Sequence, residues 1–106
     1  MDYTDLLRRL SFHDERAVSE AGPGLDPKML ALVRFAALVT VGGSVPSYGA
    51  HADAAIEAGA TAAEIVDVLV GVIPVVGLPR VVAAAPMLAL ALGHDVEDDS
   101  GMVRRA

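Results

Sequence analysis

Glycine and proline divide the chain into segments of helical length. Pro27 follows Asp26, a residue type that caps helix N-termini. Proline suits the first helical turn because its missing N–H would have no intrahelical partner there. Gly42 and Gly43 can end the segment, since glycine adopts the left-handed closing conformation without a Cβ clash. These signals predict a helix over residues 27–41.

The same boundary signals recur downstream. They predict three further helices, over residues 46–58, 65–76 and 79–92. Ahead of the middle one, Thr61 and Glu64 have the spacing of a capping box, in which each side chain accepts the other residue's backbone N–H. No stretch alternates between apolar and polar residues as a strand would. The expected fold is therefore all-α.

The predicted helix over residues 46–58 has one apolar side. Helical periodicity places Asp53 and Glu57 together on a solvated outer face. The inner stripe is expected to contain Tyr48, Ala52, Ala55, Ile56 and, just beyond the helix, Gly59.

Apolar residues make up 54% of this 106-residue chain, and the mean hydropathy is +0.50. Surface scaling indicates that a compact monomer of this size buries about two-thirds of the surface of its unfolded chain. So much apolar surface exceeds what one subunit can hide, and large exposed apolar patches usually become interfaces. We therefore expect an obligate homo-oligomer.

A lipid bilayer is the alternative environment for this apolar surface. The candidate stretch, residues 68–93, is interrupted by several glycines and prolines and carries Arg80 near its middle. An arginine at the centre of a spanning helix costs at least about 2.5 kcal/mol. We expect no membrane span.

Charge and composition restrict the partners and the chemistry. The net charge of −6 disfavours nucleic acid and anionic membrane surfaces, which require clustered basic residues. The first residues lack the basic and apolar regions of a signal peptide. Without cysteine, disulfides, thiolate catalysis and cysteine metal sites are excluded, and no spacing of histidines and carboxylates suggests another metal site. We expect a cytoplasmic protein without metal or cofactor.

Three regions are expected along the chain. Residues 1–24 form an N-terminal helical segment, in which residues 3–10 and 13–21 have the pattern of two short helices or of one broken helix. Residues 25–93 form the main helical domain. Residues 94–106 are charged and lack periodicity, which predicts an acidic, loose tail.

Several short motifs follow one another in the main domain. They are Leu25-Asp26-Pro27-Lys28, His51, Ala54-Ala55-Ile56-Glu57-Ala58-Gly59-Ala60-Thr61, Glu64-Ile65 and Val75-Val76-Gly77-Leu78-Pro79. In this order and spacing, residues 25–92 resemble the carboxymuconolactone decarboxylase and alkylhydroperoxidase D family. The resemblance implies an all-α fold that assembles into trimers or hexamers, in agreement with the oligomer expected from composition.

The peroxidase branch of that family carries two cysteines ahead of the histidine, and at the matching positions this chain has Ser44 and Ser47, followed by His51. Only a thiolate attacks peroxide or a disulfide, and a serine hydroxyl ionises far too reluctantly to replace it. That branch also uses a glutamate on the preceding helix, whereas residues 27–41 contain no carboxylate. We therefore expect no thiol peroxidase activity.

The decarboxylase branch, which lacks the cysteine pair, resembles this chain in keeping the histidine. It implies proton transfer to a lactone carbon as a carboxylate leaves. His51 is then the general acid/base, oriented by Ser47 or Tyr48, which lie one helical turn before it. The alternative is a structural histidine at the edge of the buried stripe, hydrogen-bonded to a neighbour.

An anionic substrate also needs groups that bind its carboxylates. Arg34 and Arg80, with the Ser44 hydroxyl and Lys28, are the candidates, although either arginine could instead form a salt bridge across a subunit interface. Two hypotheses remain open. The first is a cofactor-free lyase or isomerase acting on a small anionic molecule, and the second is a non-catalytic oligomeric member that binds a ligand or serves as a scaffold.

Overall fold

The protein is all-helical, as predicted, across residues 2–16 and 24–93, which the computed structural model describes. The second predicted N-terminal helix, over residues 13–21, lies mostly outside these ranges, and so does the predicted acidic tail. The described helices are α1 (Tyr3–Ser11), α2 (Pro27–Val41), α3 (Val45–Glu57), α4 (Ala62–Val76) and α5 (Leu78–Ala91).

Helices α2 to α5 form a four-helix bundle. Around the bundle, α2 packs against α3, α3 against α5, α5 against α4, and α4 against α2. Phe35 of α2 and Tyr48 of α3 meet edge to face in the centre, with ring centroids 5.9 Å apart. The buried core contains seven large side chains and four alanines: Phe35, Val39, Tyr48, Ile65, Leu69, Val81 and Leu88, with Ala52, Ala55, Ala60 and Ala84.

Local capping fixes where the helices begin. At α2, the Asp26 carboxylate accepts the Met29 N–H at 2.8 Å. The predicted capping box at α4 is confirmed: Thr61 N–H donates to Glu64 Oε1 at 2.9 Å, and Glu64 N–H donates to Thr61 Oγ1 at 3.0 Å. Both the Asp26 cap and the capping box satisfy backbone N–H donors that a helix N-terminus otherwise leaves without partners.

The capping glutamate also links two helices. Lys28 Nζ of α2 lies 2.7 Å from Glu64 Oε2 of α4. This hydrogen bond from Lys28, with a smaller contribution from the Thr61 backbone N–H, lowers the pKa of the Glu64 carboxyl below its ordinary value. Lys28 is therefore held at the base of the bundle by an ion pair.

The outward surface of the bundle is strongly apolar. Sixteen large apolar side chains of the described residues are exposed, against the seven that are buried. Many of them follow one side of a helix at a spacing of four residues. These outward stripes comprise Met29, Val33 and Val41 on α2, Val66, Val70 and Pro74 on α4, and Leu78, Val82, Pro86 and Leu90 on α5.

The predicted inner stripe of α3 is correct for three residues and wrong for two. Tyr48, Ala52 and Ala55 are buried, but Ile56 is 47% exposed and Gly59 is exposed as well. Gly59 lies beyond the end of α3, where it adopts φ +103° in the closing turn. Ile56 lies on a side of α3 that none of the described helices covers.

Membrane insertion of a helix is not supported by the described residues. None of their helices combines the length and the apolar character needed to cross a bilayer.

The Glu64→Gln variant is expected to be less stable than wild type near neutral pH and equally stable in acid. Because the folded-state pKa of Glu64 lies below its unfolded value, the ionised carboxylate contributes stability that is fully present above the unfolded pKa. That contribution is lost as the pH falls through the folded-state pKa. Urea denaturation of both proteins from about pH 7 to about pH 3 checks this expectation.

Glu57→Gln is the matched control. It removes an exposed carboxylate of α3 that forms no ion pair with a lysine or arginine of the described residues. Its stability at neutral pH should stay close to wild type. If Glu64→Gln differs from wild type equally at both ends of the pH range, the Lys28 pair is not the source of the stability.

Candidate functional site

A groove between α2 and α3 brings two of the predicted site residues together. It has a volume of about 350 Å³, and Arg34 of α2 and His51 of α3 both line it. The helices run antiparallel because only residues 42–44 connect them. The remaining walls are formed by small or apolar residues: Pro27, Leu30, Ala31, Ala50, Ala54 and Ala58.

Neither polar group of the groove has a partner among the described residues. His51 is half-buried, yet its ring makes no hydrogen bond or ion pair there. Arg34 is exposed and also makes no ion pair within those ranges. An imidazole and a guanidinium therefore line one small cleft, and neither is hydrogen-bonded to another described residue.

The two serines lie at the N-terminus of α3 and bond to each other. Ser44 is the N-cap, and its Oγ accepts the Ser47 N–H at 3.3 Å. The hydroxyl oxygens of Ser44 and Ser47 are 3.2 Å apart. Within the described chain, the Ser47 hydroxyl therefore bonds toward the helix start and not toward His51, one turn further on.

Tyr48 is turned into the bundle, where it packs against Phe35. Its hydroxyl makes no hydrogen bond with the described residues. Burial raises the pKa of the Tyr48 hydroxyl, and the Arg80 guanidinium partly offsets this by favouring the phenolate. Tyr48 is thus electrostatically coupled to Arg80, and the described residues show no bond between it and His51.

Arg80, in the first turn of α5, lies beside the loop that precedes α3. A β-carbon added to Gly42 would lie 3.2 Å from Arg80 Nη1. With φ at +85°, Gly42 occupies a backbone conformation that other residues rarely adopt, and this φ is the reason that glycine is favoured there. Arg80 is exposed, does not line the Arg34–His51 groove, and forms no ion pair in the described chain.

The predicted site residues therefore fall into two groups. Arg34 and His51 share the groove. Ser44, Ser47, Tyr48 and Arg80 are associated with the N-terminal end of α3.

Sequence reasoning did not identify the apolar walls of the groove. Their signal was the helical spacing of Pro27, Leu30 and Ala31 on α2 and of Ala50, Ala54 and Ala58 on α3. That spacing becomes informative only when the two helices are known to be neighbours. Lys28, considered a substrate-binding group, is instead paired with Glu64.

The described residues show no arrangement for a metal ion. Among residues 2–16 and 24–93, no three histidine or carboxylate side chains come together closely enough to hold one.

Comparison with known proteins identifies the family. The family model of the carboxymuconolactone decarboxylase family matches residues 4–90, from α1 to the last turn of α5. The chain belongs to this family. No curated protein and no solved structure matches it. The sequence contains no cysteine, so this member lacks a redox cysteine pair.

The coupling between Tyr48 and Arg80 predicts a titration shift. Replacing Arg80 by Gln should raise the pKa of Tyr48 further, because the cation that favours the phenolate is lost. The chain contains two tyrosines, so a Tyr3→Phe background leaves Tyr48 as the only one. Its ionisation can then be followed by phenolate absorbance in alkaline titrations.

Arg34→Gln in the same background is the control, since Arg34 belongs to the other group. An Arg80→Gln titration that coincides with the parent curve, or an equal shift in both variants, would contradict a specific Arg80–Tyr48 interaction.

Proposed function

We propose that the protein is a cofactor-free lyase or isomerase acting on a small anionic organic molecule, with His51 as general acid/base. The supporting observation is that His51 and Arg34 line one groove of about 350 Å³. That volume suits a small metabolite. A guanidinium is permanently charged and binds carboxylates in a two-pronged geometry, so Arg34 is the group that would hold the substrate.

The proposed roles define the proton and electron movements. In a decarboxylation, the bond between carbon and the leaving carboxylate breaks, carbon dioxide departs, and its bonding electrons remain on the adjacent carbon. The His51 imidazolium then gives a proton to that carbon. In an isomerisation, neutral His51 removes a proton from one carbon and returns it to another. Arg34 binds a carboxylate that the reaction does not remove.

The apolar walls of the groove favour this chemistry. The lining alanines, with Leu30 and Pro27, offer no competing hydrogen bonds to an anionic substrate. Arg34 is exposed, so its attraction for an anion would strengthen if a neighbouring subunit excluded water from the open side of the groove.

Assembly into a homotrimer or homohexamer belongs to the same proposal. The outward stripes of α2, α4 and α5 leave more large apolar side chains exposed than the bundle buries. A neighbouring subunit would cover such stripes. Arg80 lies outside the groove and is proposed to form a salt bridge with that subunit, or, together with Ser44, to bind a second carboxylate of a substrate that extends to the N-terminal end of α3.

A second candidate function is a non-catalytic, ligand-binding or scaffold role. The observation that favours it is the lack of an orienting partner for the His51 ring among the described residues. General acid/base histidines are commonly held in place by a second polar group. Ser47 and Tyr48 are the proposed orienting residues. In this structure the Ser47 hydroxyl bonds to Ser44, and the Tyr48 ring packs against Phe35 in the core.

The activity is tested by screening lactones and β-keto acids against wild type and His51→Ala. An acid/base role predicts a loss of turnover of about 100-fold or more in the variant. Arg34→Gln should mainly raise KM, and Arg34→Lys should restore part of the affinity, because the charge is kept but the two-pronged geometry is lost. Asp53→Asn, on the exposed side of α3, is the matched control and should behave as wild type.

Unchanged turnover in His51→Ala would overturn the acid/base role. If wild type turns over none of these compounds but binds carboxylates saturably, and Arg34→Gln abolishes that binding, the non-catalytic candidate is favoured.

The oligomer is tested by native mass spectrometry and analytical ultracentrifugation. Wild type is expected at three or six times the 10.9 kDa chain mass. Val82→Glu places a charge in the outward stripe of α5 and should weaken assembly, whereas Glu57→Gln should not. A folded monomer at high protein concentration would contradict the proposed assembly.

A further inference from the structure

Helix α1 is amphipathic. One side carries an apolar stripe of Tyr3, Leu6, Leu7 and Leu10, which recur at the spacing of a helical face. On the other side, Asp5 accepts hydrogen bonds from Arg8 and from Arg9, the latter at 3.0 Å. The Asp2 side chain caps the helix by accepting the Asp5 N–H at 2.8 Å.

The apolar stripe of α1 has no partner within the described chain. Tyr3 is 79% exposed, Leu7 57% and Leu10 51%, and α1 contacts none of the bundle helices. Isolated helices shorter than about 12–15 residues are marginal in water, and α1 has nine residues. Its sequence thus specifies a helix whose stability depends on a surface that the described chain does not supply.

The exposed area of α1 suits an interface between subunits. Taking about 200 Å² per large side chain, the stripe residues Tyr3, Leu7 and Leu10 together expose about 370 Å². Two copies that exchange this helix, each covering an equal area on the other, would remove about 1,500 Å² from water. Stable interfaces bury about 1,200–2,000 Å² in total.

Charge distinguishes among the outward stripes that could receive α1. The basic residues of α1, Arg8 and Arg9, lie in its last turn, whereas Asp2 and Asp5 lie at its start. The stripe of α4 is flanked by Asp67. Its carboxylate is exposed and forms no ion pair with a lysine or arginine of the described residues. By contrast, Lys28 and Arg34 are the charged residues of α2, and Arg80 is the charged residue of α5. The α4 stripe is therefore the acidic one.

We propose that α1 is an exchange arm that docks through its apolar stripe onto Val66, Val70 and Pro74 of α4 in a second copy of this chain. In this arrangement the arginines in the last turn of the arm, already bonded to Asp5, lie at the rim of the contact, where Asp67 of the receiving subunit can add to their pairing. The inference goes beyond the proposed function, because it assigns an interaction surface that stands or falls independently of any catalysis.

The first test compares two double variants by sedimentation equilibrium. Leu7→Glu/Leu10→Glu should weaken subunit association by at least about tenfold, since two charges then face the apolar stripe of α4. Thr4→Glu/Ser11→Glu adds the same charge to exposed polar positions of α1 and should associate as wild type. Circular dichroism of both variants checks that the bundle stays folded.

The second test uses the absence of native cysteine. Differently tagged Leu10→Cys and Val70→Cys chains are mixed and mildly oxidised, and a disulfide between the two tags is expected. Val41→Cys, on the exposed surface of α2, replaces Val70→Cys as the control and should cross-link far less.

Two results would overturn the exchange arm. One is association that is unaffected by Leu7→Glu/Leu10→Glu. The other is a Leu10→Cys/Val70→Cys chain that cross-links within itself at high dilution, which would show that the arm docks on its own bundle. Loss of catalysis alone does not test the exchange arm. An oligomer that persists unchanged in the Leu7→Glu/Leu10→Glu variant would overturn the exchange arm but not the proposed trimer or hexamer.

Discussion

Close approach of α3 to its neighbours through small side chains determines most of this structure. Ala52 and Ala55 of α3 and Ala84 of α5 are buried in the core, where a larger side chain would push the helices apart. Protein interiors are packed to the density of organic crystals, so alanine here means short distances between helices and not empty space. Phe35 and Tyr48, the two aromatic residues among the buried core residues, pack edge to face within it. The result is a thin core that uses few large apolar residues.

A thin core has consequences for stability and for the site. The large apolar residues that the core does not use lie on the outward stripes, where they contribute little to the folding of one chain and would contribute more when a partner covers them. The same small residues open the groove: Ala31 on α2 and Ala50, Ala54 and Ala58 on α3 leave room where larger residues would fill it. Packing and cavity are therefore two results of one alanine-rich pattern.

Local sequence signals correctly predicted the starts of helices, because these depend on hydrogen bonds between residues close in sequence. Asp26 with Pro27, and Thr61 with Glu64, define helix starts because their hydrogen bonds are made within four residues. Ile56 was placed incorrectly because periodicity tells which residues share a face, but not whether another helix covers that face. The Lys28–Glu64 pair could not be predicted either, since it joins helices more than 30 positions apart in sequence.

The candidate site shows the same division between what residue type predicts and what tertiary packing decides. His51, Arg34 and Arg80 could be selected by residue type and family resemblance, but only the packing of α2 against α3 places Arg34 in the groove with His51. Arg80 instead lies against Gly42 and acts on Tyr48, because the start of α5 is beside the loop that precedes α3. Residue type indicated which groups could bind an anion, and tertiary packing decided which of them can act together.

Assembly and chemistry are linked through what the single subunit leaves incomplete. In the described chain the His51 ring has no orienting partner, and the groove is open to solvent on one side. Acid/base catalysis gains from a fixed imidazole and from exclusion of water. If the proposed neighbouring subunit covered the α2–α3 edge, it would exclude water from the groove. On this reasoning a chain without cysteine can keep the groove, because the groove depends on helix packing and not on sulfur.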